Sequence, residues 1–494
     1  MSEPSDRPGA GHSQTPGVVT GRARTGVLWI VGGFGSGQVL RLIANVALAS
    51  ILFEEAFALM AIVSGVMMGL AMFSDIGLGT SVVQHPRGDD PEFLETAWTL
   101  QVLRGVGLFL VALILAWPVS RIYGANDPKA FDLLYLIPIT ALTALTDGFK
   151  SVRVMTASRH LRLKELTLIE LIAGPFNVVV MLALAWYMRS VYALAIAAVL
   201  TSFLQSVLSY TLLKGPRSRL RWDMHAARSI LNFGKWVFLS TLITFMAMQV
   251  DRLTMAGMYP LAEVGVYSIA ASLAIIVPTV VGKLQLSVLF PWYSRMLEQG
   301  MSLPAAFGKT RNAMMIFSTF LCTLLISGAG SFFSLAYDHR YAMGGVLLPI
   351  LALGAWFSCL ENMYGAAFVA SGRPKWIAIT NATKVVSFVV LLAPLLLFDL
   401  SITVAALFLA GCEVLRWLLC QRLGVRLGLR NARAEALMLA GFLTVSAIGW
   451  WLVEKAPVIS QLPPFWRLVV LGVVETLLFA PLFLRFVLPL IRGR

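Results

Sequence analysis

Fourteen long apolar stretches run through this 494-residue chain, and they leave it few possible folds. They lie near 26–51, 56–84, 93–117, 131–155, 165–188, 191–213, 230–258, 263–291, 304–330, 343–371, 375–398, 401–421, 434–453 and 465–490. A helix needs about 20 mostly apolar residues to cross a bilayer, and only a helix or a closed barrel keeps its backbone groups paired there. Charged residues make up 13% of the chain, against about 25% in a soluble protein. The expected fold is an all-α polytopic membrane protein of about 14 transmembrane helices.

Lysine and arginine set the expected sidedness. If residues 1–25, a polar segment rich in Pro, Gly and Ser, form a disordered cytoplasmic tail, the inner segments hold 27 Lys and Arg, Arg416 among them. The outer segments hold six: Arg121, Lys129, Arg189, Arg340, Lys455 and Arg467. Both termini are therefore expected in the cytoplasm. The net charge of +14 is then a topology signal and calls for no nucleic-acid partner.

The chain repeats itself. QVLRL at 38–42 returns as QVDRL at 249–253, and IPITAL at 137–142 returns as LPILAL at 348–353. TASR at 156–159 faces ASGR at 370–373. Span 1 thus pairs with span 7 and span 4 with span 10, which gives two parallel six-helix repeats. The expected organisation is an N-lobe over 26–213, a linker over 214–229, a C-lobe over 230–421 and two extra spans over 434–490. Parallel repeats of this kind occur in transporters whose substrate site lies between the halves.

Six cations fall inside spans: Arg41, Arg104, Lys235, Arg252, Lys283 and Lys384. Each costs roughly 2.5–3.5 kcal/mol at mid-helix unless it meets a wet cavity or a partner. Gln38, Arg41 and Asn45 share one stripe of span 1, and Gln249 and Arg252 repeat the spacing on span 7. A guanidinium offers a planar fork suited to phosphate, so these residues, with Arg104 and Lys384, are candidates for an anionic substrate site between the lobes. The plainer reading is an internal salt bridge to Asp251. Asp75 on span 2 and Lys283 on span 8 fall at equivalent depth, roughly 28 Å from the outer end at 1.5 Å per residue, and are a candidate inner gate. Asp147, Glu170, Glu361, Glu413 and Glu475 are further intramembrane acids; Asp147 is expected to pair locally with Lys150. Asp251 and Glu361 are candidates for gating or ion coupling.

Several motifs reduce to simpler readings. GGFGSG at 32–37 has no preceding strand and reads as close helix packing or bending. GKT at 308–310 lacks the first glycine of a phosphate loop. Asp90 before Pro91 reads as a helix N-cap. Cys322, Cys359, Cys412 and Cys420 form no CxxC pair, and no metal, cofactor or nucleophile–base constellation stands out. With outer loops this short, a membrane enzyme of glycan assembly is disfavoured.

FSDIGLGTSVVQHPRGDD at 73–90, DRLTMAGMYPLAEVGVYSIA at 251–270 and ASGRP at 370–374 carry a family resemblance. Over roughly 26–425 the chain resembles the oligosaccharidyl-lipid flippases of the polysaccharide transporter family, within the multidrug/oligosaccharidyl-lipid/polysaccharide exporter superfamily. The resemblance implies two six-helix lobes around a central cationic cavity. It also implies alternating access that carries an undecaprenyl-pyrophosphate-linked glycan across the bacterial inner membrane, for lipopolysaccharide or exopolysaccharide biosynthesis. Membrane lipid surrounds such a protein, and a polysaccharide polymerase and chain-length machinery are the partners it would work beside. The family's cavity charges carry over to Arg41 and Arg252. Fourteen spans, with Glu475 in the last, resemble the lipid II flippase branch and some exopolysaccharide members. A multidrug antiporter of the same superfamily is the alternative; its organic cations call for an acidic cavity, whereas the repeated motif supplies arginine.

Overall fold

A computed structural model describes residues 35–74, 78–160, 162–216, 218–430 and 432–487. It is helical throughout, with no strand among the described residues. The first six long helices are α1 (Gly35–Ile51), α2 (Glu54–Phe73), α3 (Pro91–Gly124), α4 (Leu133–Gly148), α5 (Leu163–Met188) and α6 (Tyr192–Thr211). The next six are α7 (Met224–Ala256), α8 (Leu261–Leu284), α9 (Leu303–Ser327), α10 (Gly344–Ala370), α11 (Lys375–Leu397) and α12 (Ile402–Val425), followed by α13 (Ala432–Glu454) and α14 (Pro464–Leu482). Among the described residues, twelve helices are long and apolar enough to cross a membrane, and they coincide with twelve of the expected spans. The other two expected spans are α1, whose apolar part is the shorter Gly37–Ile51, and α7, which carries Arg228, Lys235, Asp251 and Arg252.

Local chemistry sets the helix ends and breaks. The Asp90 side chain accepts from Glu92 N at 3.1 Å, with Pro91 at the first helical position, so the expected N-cap starts α3. Helix α8 breaks at Ile275, because Pro278 has no N–H to offer the carbonyl of Ala274. A π-helical turn over Gln285–Leu289 follows it. Residues 308–310 lie within α9, a continuous helix with no phosphate loop.

The packing pattern repeats. In the first six helices α1 packs on α5, α3 on α4, α4 on α6 and α5 on α6; in the next six α7 packs on α11, α9 on α10, α10 on α12 and α11 on α12. Helix α2 crosses between the two sets and packs on α7 and α8. Small residues allow the approach: a Cβ on Gly65 would lie 2.9 Å from the Leu253 side chain, and one on Gly69 2.8 Å from Phe245. Helices α13 and α14 pack against α9. Buried carboxylates dock them: Glu435 accepts from Tyr364 at 2.7 Å, Trp417 at 2.9 Å and Gln421 at 2.7 Å, and Glu475 accepts from Thr323 at 3.0 Å.

Candidate functional site

A cavity of about 560 Å³ opens among α7, α8, α10, α11 and α12. Its wall holds four cations, Arg252, Lys283, Lys384 and Arg416, and three carboxylates, Asp251, Glu361 and Glu413. The rest of the wall mixes apolar residues such as Met248, Ile275, Leu286 and Leu409 with the amides of Asn362 and Asn381 and the hydroxyls of Thr279 and Ser358.

The seven charges reach the wall from five helices. Asp251 accepts a hydrogen bond from the Tyr267 hydroxyl at 2.8 Å. The neighbouring Arg252 makes no ion pair with a described residue, and neither does Arg41, so the expected alternative of a salt bridge to Asp251 is absent. Lys384 on α11 pairs with Glu413 on α12 at 2.7 Å. Glu413 pairs with Arg416 at 3.3 Å, and Arg416 pairs with Glu361 on α10 at 2.9 Å.

The structure separates the residues that the sequence grouped. Asp251, Arg252, Lys283, Glu361 and Lys384 line this cavity. Gln249 does not, although it shares a stripe with Arg252. It is 7% exposed and turned to α2, where Nε2 lies 2.9 Å from Met68 Sδ. Asn45 also faces the other set of helices, its Nδ2 3.5 Å from Ser272 Oγ. Gln38 is half-buried and Arg41 exposed on α1; neither is among the cavity residues. Arg104 is turned to the end of α2, donating to Ser74 Oγ at 2.9 Å and Ala71 O at 2.7 Å. A cation suits that helix C-terminus, and its carbonyls draw Arg104 away from the cavity. Asp75, and with it the Asp75–Lys283 gate, lies outside the described residues. Asp147 and Lys150 do form the expected local pair, at 2.8 Å.

Arg416 corrects the reading of span 12. The apolar stretch ends near 421, and Arg416 was counted with the inner loop. Arg416 instead lies within helix α12, which runs to Val425, and lines the cavity wall. The available signal was spacing, since Glu413 and Arg416 are i, i+3 on one face.

Two clasps join the halves at one end. Tyr123, on the last turn of α3, donates to Leu253 O at 3.0 Å, and Asn126 donates to Gly257 O at the α7–α8 corner. In the reverse sense Tyr341, just before α10, donates to Leu52 O at 3.3 Å, and Arg340 pairs with Glu54 at 3.4 Å at the α1–α2 corner. Each half thus uses its third-to-fourth helix connection to hold the first corner of the other.

A family model described as polysaccharide biosynthesis protein matches residues 47–343. The chain belongs to that family. It is 24% identical over 348 residues to the lipopolysaccharide biosynthesis protein WzxC of Escherichia coli (strain K12), covering 68% of this chain and 67% of the relative. Its fold is similar to that of the lipid II flippase MurJ in an inward closed conformation, with a TM-score of 0.69 at 12% identity over 95% of this chain and 100% of that one. It is also similar to an inward-facing multidrug resistance MATE family transporter of the MOP superfamily, with a TM-score of 0.57 at 14% identity over 79% and 95% of the two chains. The protein is a multi-pass membrane protein of a polysaccharide biosynthesis family.

Proposed function

We propose that the protein carries an undecaprenyl-pyrophosphate-linked oligosaccharide across the bacterial inner membrane by alternating access, for lipopolysaccharide or exopolysaccharide assembly. One observation carries this reading. Arg252 stands on the cavity wall without an ion pair among the described residues, while two of the three wall carboxylates are bound to cations and the third accepts from a tyrosine. Such a wall attracts an anionic head group and repels an organic cation. The planar guanidinium suits a diphosphate oxygen pair. Arg41 is the proposed second contact, reached as the halves rearrange. The family membership and the likeness to WzxC support a glycan cargo.

In this reading the two clasps close the outer end, the side to which the Lys and Arg distribution assigns residues 118–131 and 338–342, with both termini cytoplasmic. Clasp opening then releases the cargo outward. A polysaccharide polymerase and chain-length machinery are proposed to take it up there.

The test is flipping of a labelled undecaprenyl-pyrophosphate oligosaccharide in proteoliposomes. Wild type is compared with Arg252→Ala and Arg41→Ala at equal insertion. Loss of flipping in Arg252→Ala supports the head-group site. Wild type that fails to flip the glycan but exports an organic cation makes the protein an antiporter. Flipping of lipid II in preference to a repeat-unit glycan favours the peptidoglycan branch, towards which the MurJ-like fold points.

A further inference from the structure

The ion pairs on the cavity wall form one connected chain across three helices: Lys384 to Glu413, Glu413 to Arg416, Arg416 to Glu361. Its net charge is zero. Stability gives a weak account of such a cluster, because apolar residues of similar volume often serve as well or better. Nor is it fully satisfied. Arg416 donates through Nη2 to Asn381 Oδ1 at 2.6 Å, but its buried Nε has no acceptor among the described residues. An unspent guanidinium donor is therefore built into a wall that already faces the cavity.

The diester diphosphate of a lipid-linked sugar carries two permanent negative charges and several acceptor oxygens. Arg252 by itself balances one of these charges, Arg41 is not on this wall, and the other wall cations are Lys283, Lys384 and Arg416. We infer, building on the cargo reading above, that Lys384 and Arg416 are reserve cations: the diphosphate displaces Glu413 and Glu361 from them, and the freed carboxylates take up protons from water. A carboxylate stripped of its cation in a low-dielectric wall is costly to keep ionised, and a proton neutralises it. Charge balances, because each negative charge added by the phosphates meets one proton added to a glutamate.

The surroundings suit the exchange. From α7, Asp251 and Arg252 line the same cavity, and Asp251 is held by Tyr267 from α8. Lys283 comes from α8, Asn381 lies beside Arg416 on α11, and the thiols of Cys412 and Cys420 sit on α12. Among these, Glu361 and Glu413 are the carboxylates bound to the reserve cations. Proton uptake and anion binding therefore reinforce one another, and by reciprocity each raises the affinity for the other.

The experiment is calorimetric titration of a short isoprenyl-diphosphate sugar, a diester that does not itself titrate near neutrality, into the full-length protein in detergent. It is run in two buffers of different ionisation enthalpy and across pH. The expected result is proton uptake on binding, with affinity rising about tenfold per unit fall in pH for each proton taken up. Glu413→Gln and Glu361→Gln should each bind more tightly than wild type at alkaline pH and take up fewer protons. Binding with no proton uptake and no pH dependence in wild type overturns the reserve-cation inference and leaves the cargo reading standing. Absence of binding in wild type and both variants overturns the cargo reading itself. Should a variant fail to fold, the two-buffer measurement on wild type still decides the point.

Discussion

Arg252 and Arg416 both reach the cavity wall, yet their substitution should have opposite signatures. Arg252 has no described ion pair to lose, so Arg252→Ala should cut flipping at least tenfold and leave the melting temperature within a degree or two. Arg252→Lys should keep part of the activity, since charge survives but the planar fork does not. A normal rate for Arg252→Ala would remove Arg252 from the head-group site. Arg416→Met instead strands Glu361 and leaves Glu413 with Lys384 as its ion-pair partner, and breaking a buried pair costs about 3–5 kcal/mol. A large fall in melting temperature is expected, and an unchanged melt would count against the buried network. In the turn before α3, Asp90 gives a pH signature. The Arg87 side chain and then the N–H of Glu92 hold its carboxyl below the ordinary range. Its contribution is present above the unfolded pKa of about 4 and is lost as pH falls through the lower folded value. Wild type should therefore lose stability on acidification below about pH 4 more steeply than Asp90→Asn, as read by thermal melts across pH. Parallel curves would show that the cap does not titrate with folding.

Among elements, close helix approach matters more than apolar content. A Cβ on Gly265 of α8 would lie 1.9 Å from Glu54 O, a backbone atom that cannot step aside. A Cβ on Gly69 of α2 meets the ring of Phe245, which can rotate. Gly265→Ala should therefore lower the melting temperature much more than Gly69→Ala, where overpacking of about 1–3 kcal/mol is the ceiling. Equal effects would mean that the α2–α8 crossing yields more than its backbone contact suggests. Helix positions were largely legible beforehand, because about 20 apolar residues are a physical requirement of a span. What hydropathy did not show was that Arg416, inside the twelfth apolar run yet counted with the loop, is turned onto the cavity wall from α12. Nor did it show which stripe of α7 faces where: Gln249 and Arg252 lie three residues apart, and one meets α2 while the other meets the cavity.

For the molecule as a whole, the proposed alternating access requires the clasped end to open. Cysteines placed at Asn126 and Gly257, bridged by a short thiol cross-linker, should stop flipping, and a cleavable linker should restore it. The four native cysteines are buried, which favours selective labelling of the new pair. The same treatment at Glu54 and Arg340 should act alike, since both clasps span the two halves. Full transport with either clasp bridged would show that this end never opens.

The sequence by itself determined the membrane class, the approximate spans, the duplication and the family, because hydrophobic length, charge bias and repeated motifs are local properties of the chain. It also singled out Arg252, Lys384 and Glu361, since a charge in an apolar helix is visible without coordinates. Only the tertiary structure decided that these three share one cavity wall, that Arg104 closes the end of α2, and that Arg416 links two glutamates. Those facts depend on the rotation of each helix about its axis and on which neighbour it meets. Both are set by packing between residues distant in sequence, such as Gly65 against Leu253 and Gly265 against Glu54.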